Sequence, residues 1–491
     1  MTSRNVLWII SDQFRGDCLG VAGNSLIHTP NLDALARDGV FFKNCFVQTA
    51  PCGPSRMSMY TSRYLCSTRA VRNFTPLADA HENIAMHVRR ASYRPVLFGY
   101  NDYTVDPRIL PDDDPRRTSL AYDNALPGFD VGEYFEYHSP AYFEYLRQKG
   151  YPDALCGPCI STEYDVPDTG LNGHLPLRYP AHYRSEDSTC GYLTGRAIEW
   201  IADAKQPGWF LNLNLIKPHP PRICAAPYHA LYEPQAMPAP ARCEAELRDP
   251  HPYMRRVRPN PLLSECRDLQ ETQANYYGMI SEVDECVGRL VEALKCSGHW
   301  DNTIIVFMSD HGEYLGDHYL QDKGHYCDGG MHVPLIVRDP DTRADGSRGS
   351  VYSGLVEAID VAPTIVDCLG LPIPEGFQGK SLKSLLYGET ARHRAEIHFE
   401  FDFRAFAAIG RDDPETCLLW VIRDERFKYV QFGVEDLPSI LFDLERDPRE
   451  LENRAGDPLY SGVVLDFCQR LLRWRMRNED QRMERWASNY R

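Results

Sequence analysis

The chain is written in two hydrophobic grammars. Up to about residue 390, apolar residues gather in short unbroken runs separated by stretches with helical spacing. Strands buried on both faces of a parallel sheet read as such runs, and helices alternate with them. Val6 to Ile10 is the first run. Thr29-Pro30-Asn31-Leu32 then opens a predicted helix, with Thr as N-cap, Pro in the first turn and Gly39 as the stop. Val40 to Val47 is the next apolar segment, and Met57 to Ser62 extends as a helix. The same alternation predicts a helix over 84–90 and a strand over 93–100, a helix over 190–204 and a strand over 209–216. A long helix over 269–294 leads to a strand over 303–308. Strands over 333–337 and 353–358 follow, then a helix over 363–370. Residues 101–190, rich in Pro, Asp and Gly, read as long loops. Beyond 390 the pattern alternates: His398 to Phe403, then Leu418 to Arg423 and Arg426 to Gln431 as a hairpin, which is antiparallel grammar. A helix is predicted over 457–477, and the Arg-rich aromatic tail Trp474 to Arg491 reads as an intersubunit arm of a homo-oligomer, a dimer or tetramer. The expected fold is α/β: a mixed, largely parallel sheet sandwiched by helices over residues 1–388, with a smaller C-terminal antiparallel-sheet subdomain over 389–491.

Composition narrows the class. The 491 residues are 43% hydrophobic and 25% charged, the balance of a globular protein, with a net charge of -16. That charge repels nucleic acid and anionic membrane, so neither is an expected partner. An anionic substrate would need a local concentration of positive charge, which a metal supplies. No apolar run has the length of a membrane span. Residues 1–11 run straight into a predicted strand without a basic n-region and cleavage site, so a cytoplasmic protein is expected. Sixteen irregularly spaced cysteines then imply reduced thiols. Cys156-Gly-Pro-Cys159 has thioredoxin spacing, but no helix is signalled after it, and it reads as a loop pair.

The chemistry begins at the strand ends. Val6 to Ile10 runs into Ser11-Asp12, and Thr303 to Met308 into Ser309-Asp310-His311. Ligands bind at the carboxyl ends of parallel strands, so two strands remote in sequence aim two carboxylates and an imidazole at one crevice. Such donors suit Ca²⁺, Mn²⁺ or Mg²⁺. Cys52-Gly53-Pro54-Ser55-Arg56 follows the apolar segment 40–47 and leads into a predicted helix. Cys52 is thereby expected near a helix N-terminus, where backbone N–H groups favour anions. Taken singly, a strand-end cap, a packed histidine and a filler thiol are the commoner fates of these residues; it is their combination that points to a metal site.

On these motifs the chain resembles, over its whole length, the sulfatase branch of the alkaline phosphatase superfamily, and within it the phosphonate monoester hydrolases and related promiscuous arylsulfatases. Leu441 to Asn453 is similar to that family's C-terminal Asp-Leu-x-x-Asp-Pro-x-Glu-x-x-Asn stretch. The resemblance implies an alkaline phosphatase-like fold. It implies that Cys52 is oxidised to 3-oxoalanine (formylglycine) by a formylglycine-generating enzyme that reads Pro54 and Arg56. It implies one divalent cation, Ca²⁺ or Mn²⁺, on Asp12, residue 52, Asp310 and His311. A hydrated aldehyde is a better nucleophile beside a hard cation than a thiol; it would attack the ester and carry the transferred group as a hemiacetal. Arg56, His219 and Lys323 match catalytic positions, and Arg56 would neutralise the anion. Gln13, Asn73, Tyr100 and Thr104 match or replace substrate-contacting ones.

Three departures stand out. Gln13 sits where many sulfatases have an acid; Thr61-Ser62-Arg63 replaces Thr-Gly-Arg, with an expected change in local helix packing; and Gly99-Tyr100-Asn101-Asp102 replaces Gly-Lys-Trp-His. The last removes two cations and favours singly charged groups. The implied function is hydrolysis of small anionic esters: sulfate monoesters, with phosphonate monoesters and phosphate diesters as further substrates. Alternatives are a dedicated phosphonate monoester hydrolase or phosphodiesterase, a two-metal phosphatase drawing on His325 and His332, and a non-catalytic binding protein.

Overall fold

The computed structural model describes residues 3–118, 121–123, 125–135, 139–152, 180–257, 266–406 and 416–479. Among these residues, thirteen strands form two sheets. The larger contains β1 (Asn5–Ser11), β2 (Val40–Phe46), β3 (Arg94–Gly99), β4 (Asp130–Tyr134), β5 (Trp209–Leu215), β6 (Thr303–Met308), β7 (His332–Val333), β8 (Leu335–Arg338) and β9 (Ser350–Glu357). Its order is β4-β3-β5-β1-β6-β8-β2-β7, with β9 also on β2. Pairings among β1, β3, β4, β5 and β6 are parallel, as is β2 with β9; β8 on β6, and β7 and β8 on β2, are antiparallel. The mixed, largely parallel sheet is therefore as expected.

Every residue of β1, β5 and β6 is buried. Successive side chains still divide between two faces. Trp8 and Ile10 join one core with Met57, Tyr60, Ile365 and Val366, while Leu7 and Ile9 join the other with Leu193, Ile280, Val283 and Val287. Two apolar layers explain why these strands show no polar alternation. The central pairing sets β1 beside β6 with Ile10 opposite Met308, which brings the acids that follow each strand side by side.

The second sheet, β10 (Ile397–Asp402), β11 (Leu418–Arg423), β12 (Phe427–Phe432) and β13 (Ile440–Asp443), is wholly antiparallel. Phe399, Phe401 and Leu419 pack into the first core; Ile422, Tyr429 and Leu441 turn to Phe467, Leu471 and Trp474 of helix Ser461–Arg477. The change of grammar near 390 thus corresponds to a change of sheet.

Two details differ from the expectation. Residues 101–190 are not all loop, since β4 and helix Pro140–Gln148 lie there. Thr29 does not cap helix Pro30–Asp38 through its side chain; its hydroxyl accepts from Gly20 N at 2.9 Å. The buried carboxylate of Asp284, on the long helix Cys266–Cys296, takes the helix N–H groups of Asn31 and Leu32 at 3.2 and 2.7 Å. Thirteen cysteines, Cys52 and Cys327 among them, are free thiols, and no described helix is long and apolar enough to cross a membrane. The Cys156–Cys159 pair and residues 480–491 of the tail lie outside the described residues.

Candidate active site

Asp12, Cys52, Asp310 and His311 converge, all buried, with one donor atom of each within 4.8 Å of the others. Asp12 continues the ladder beyond β1, its N–H donating to Leu215 O at 2.9 Å, and Asp310 and His311 follow the neighbouring β6. Cys52 is the first residue of helix Cys52–Thr61. Ser55 in the first turn donates its hydroxyl to Asp310 O, which ties that helix to the end of β6. The Cys52 Sγ lies 3.1 Å from His311 Nε2 and 3.8 Å from Asp12 Oδ1.

Each of these side chains has an anchored back and an open front. Asp12 Oδ2 accepts from Tyr100 OH at 2.7 Å and Arg56 Nη2 at 3.1 Å, so Oδ1 is left facing Cys52 and His311. Asp310 Oδ2 accepts from Arg56 Nε at 2.9 Å, while Oδ1 accepts from Gln13 N at 3.1 Å and lies 3.9 Å from His311 Nε2. His311 Nδ1 is 3.0 Å from Gly312 O; the carbonyl fixes the proton on Nδ1 and leaves the Nε2 lone pair for the cluster. Two carboxylate oxygens and one imidazole nitrogen, fixed from behind and gathered in a buried space, fit a divalent cation bound through hard and borderline donors. Burial drives the Asp12 carboxyl upward, but His219, His311, Arg56 and Lys323 together outweigh it and hold it well below the usual range. The Cys52 thiol is pushed well above its usual value by burial and then by Asp12.

Arg56 departs from expectation. Its guanidinium is fully buried, stacks 4.4 Å over Tyr100, and spends its donors on Asp12, Asp310, Tyr100 O and Asn214 Oδ1 (2.7 Å). Asp102 completes the set at 3.2 Å from Arg56 Nε. The arginine braces the Asp12 and Asp310 carboxylates and has its donors turned to protein groups. Tyr100 also works from behind, through Asp12. Asn73 accepts from Gly53 N at 3.0 Å, holding the first turn of the Cys52 helix. Thr104 donates to Ala121 O at 3.2 Å. Ser62, where the family has glycine, keeps the left-handed conformation (φ 52°) that glycine adopts without strain, and its hydroxyl donates to Ile359 O at 2.7 Å.

On the open side stand Lys323 and His219. Lys323 Nζ donates to Gln13 Oε1 at 2.9 Å. Burial opposes its charge, but Cys52, Asp12, Asp322 and Asp310 prevail and keep it an ammonium. His219, half-buried, has Nδ1 2.7 Å from Pro220 O, and burial followed by Lys323 lowers it to about 4. The neutral ring with its proton on Nδ1 offers Nε2 as an acceptor.

Gln13 is a bridge. Its Nε2 donates to Glu313 and, at 3.2 Å, to Asp322, while its Oε1 holds Lys323. The sequence reading missed Glu313 and Arg222, a buried pair at 2.6 Å. It also missed Asn214, whose signal was visible: with Asn212 it is one of two asparagines inside a buried strand whose other residues are apolar. His325 and His332 lie outside the cluster; His325 Nδ1 is 2.8 Å from Tyr253 OH and His332 Nε2 2.7 Å from Lys43 O, so neither supplies a second metal here.

Comparison with known proteins agrees with this geometry. Residues 4–371 match the family model described as Sulfatase, and residues 316–477 that of the N-sulphoglucosamine sulphohydrolase C-terminal region. The multifunctional alkaline phosphatase superfamily protein PehA of Trinickia caryophylli is 36% identical over 100% of this chain and 98% of its own length. An arylsulfatase of Clostridium perfringens is 28% identical over 95% of this chain and 93% of its own. The crystal structure of a phosphonate monoester hydrolase of Agrobacterium radiobacter superposes with a TM-score of 0.89 at 37% identity, covering 97% of this chain and 96% of that one.

Proposed function

Because the chain belongs to the sulfatase family of the alkaline phosphatase superfamily, a family of ester hydrolases, we propose that it hydrolyses small esters of singly charged anions: sulfate monoesters, phosphonate monoesters and phosphate diesters. The observation that carries this reading is the fate of the cations. Arg56 is consumed by Asp12, Asp102 and Asp310, and position 100 is a tyrosine bound to Asp12. Among the described residues at the open face, Lys323 is the charged donor and His219 is neutral. A doubly charged phosphate monoester would bring more charge than this shell offsets.

In this reading Asp12, Asp310, His311 and residue 52 hold one divalent cation, Ca²⁺ or Mn²⁺, which acidifies the nucleophile and polarises the ester when bound. Residue 52 acts after oxidation to formylglycine by a formylglycine-generating enzyme, and carries the transferred group as a hemiacetal ester. The chain's own residues do the rest. Arg56 and Tyr100 hold Asp12 and Asp310 so that no reorganisation is needed when substrate arrives. Asn73 fixes the turn that presents residue 52. Lys323, steadied by Gln13, meets an anionic oxygen. His219 Nε2 stands as the acceptor for a proton during turnover.

A dedicated phosphonate monoester hydrolase is the second reading, favoured by the likeness to the Agrobacterium radiobacter enzyme and by Tyr100. Specificity constants on matched nitrophenyl esters (sulfate, phenylphosphonate, phosphate diester, phosphate monoester) test both. Broad activity on the first three supports the leading reading, and phosphonate alone supports the second. A clear preference for the phosphate monoester would overturn the cation argument on which both stand.

A further inference from the structure

A second group of metal-capable side chains lies apart from the active site. His318, Cys327 and Glu450 are all buried, with one donor atom of each within 4.8 Å of the others. His318 and Cys327 share the segment between β6 and the short helix Asp328–Met331, and Glu450 comes from the turn that follows β13 of the second sheet. Glu246, on helix Ala245–Arg248, lies with Oε1 2.9 Å from His318 Nδ1.

We propose that His318, Cys327 and Glu450 form a second cation site that takes a borderline divalent metal such as Zn²⁺. The donors are one imidazole, one thiol and one carboxylate, a set that hard Ca²⁺ or Mg²⁺ avoids and Zn²⁺ accepts. Glu246 supplies the partner that metal-binding histidines usually have: a carboxylate on Nδ1, which fixes the tautomer and leaves Nε2 as the ligand. Lys428 lies 2.7 Å from Asp328 and pairs with Glu450 as well, and Arg423 lies 3.3 Å from Asp328. The bound thiolate adds negative charge here that a divalent cation offsets. Burial opposes a charge on His318, but Cys327 and Glu246 raise it to about 11, so on binding both the Cys327 thiol and His318 Nε2 release a proton to solvent as the metal bonds form. A cavity lined by Asp317, His318, Asp328 and Glu450 gives access and room for a water ligand, and another, lined by Glu246, His318, Cys327 and Glu450, adjoins it.

The consequence is mechanical. Cys327 and His318 flank Lys323 in sequence, and Glu450 belongs to the segment after the second sheet. A metal there clamps that segment onto the loop that carries the active-site lysine.

The test uses the full-length Cys52→Ser protein, in which the active site has no thiolate at position 52. Titration with Co²⁺ should produce an intense near-ultraviolet thiolate-to-cobalt band, absent from Cys52→Ser/Cys327→Ser. Zn²⁺ should raise the unfolding temperature of the first protein and not of the second. His318→Gln in the same background keeps the thiol and should weaken Co²⁺ binding at least ~10-fold; this variant serves if the serine double variant fails to fold. Absence of the band from the Cys52→Ser protein, its persistence without Cys327, or unchanged affinity in His318→Gln would overturn the proposal. None of these readouts depends on turnover, so the outcome stands apart from the hydrolase reading.

Discussion

Asp12, Asp310 and His311 stand at the ends of two paired strands, and none of the three has a positive φ. Lys323 stands on a loop of another kind. Between 315 and 325, Leu315, Gly316, His318, Tyr319, Asp322, Gly324 and His325 all have positive φ. Five of these carry side chains, and each such residue costs about 1 kcal/mol of backbone strain. Strands position side chains as a by-product of their ladder. The loop has no ladder, and its shape is held by side chains: Glu313 Oε1 accepts from Leu315 N and Asp322 N, both at 2.9 Å, while Glu313 Oε2 takes Arg222 and Gln13. The Asp12 and Asp310 carboxylates therefore rest on the sheet, and Lys323 rests on one buried glutamate.

That difference is open to direct attack. Glu313→Ala leaves Arg222 buried and unpaired and releases the loop, with an expected loss of about 3–5 kcal/mol in chemical unfolding. Its specificity constant should fall through Lys323 while the stoichiometry of metal bound at Asp12, Asp310 and His311 is kept. Loss of that metal as well would show that loop and strand ends are one unit.

The scaffold carries its own titrating joint. Burial raises the Asp284 carboxyl to about 6, although it accepts from Asn31 and Leu32. The unfolded chain releases that proton near 4 and the folded chain near 6, so the native state is favoured at low pH and loses stability as pH rises across this window. Asp284→Asn should remove the loss, gaining on wild type by up to about 3 kcal/mol between pH 4 and 7 in thermal unfolding. A constant difference would contradict it.

Arg56→Lys keeps a charge but loses the planar fork that serves Asp12 and Asp310 together. Metal affinity should fall about 10–100-fold by titration, the range for partners behind a ligand. Tyr100→Phe removes one hydrogen bond to Asp12 and should cost about 10-fold in metal affinity. An effect on substrate binding alone would return Tyr100 to the substrate-facing role expected from the sequence.

The same contrast decides what could be read in advance. The runs at 6–10 and 303–308 and the acids after them were legible, because a strand buried on both faces has a composition of its own and an acid at its end is conspicuous. The change of sheet near 390 was legible in the switch to alternation. The strand at 130–134 and helix at 140–148 were not, hidden among Pro, Asp and Gly. Direction was illegible throughout. A sequence shows that Arg56 is charged and one helical turn beyond Cys52, but not that Asp12, Asp102 and Asp310 surround it. Glu313 reads as one acid in a polar loop, and only the fold closes the loop around it. His318, Cys327 and Glu450 share no motif, since they meet across two sheets.

The central claim is that residue 52 works as an aldehyde beside one divalent cation held by the two strand ends. The measurement that bears on it most directly is the mass of the peptide spanning residue 52, taken on metal-loaded, catalytically active protein from cells that contain the modifying enzyme. The account predicts the mass of formylglycine at that position, in a fraction that rises in step with specific activity across preparations. Full activity from protein whose residue 52 is entirely cysteine would contradict it.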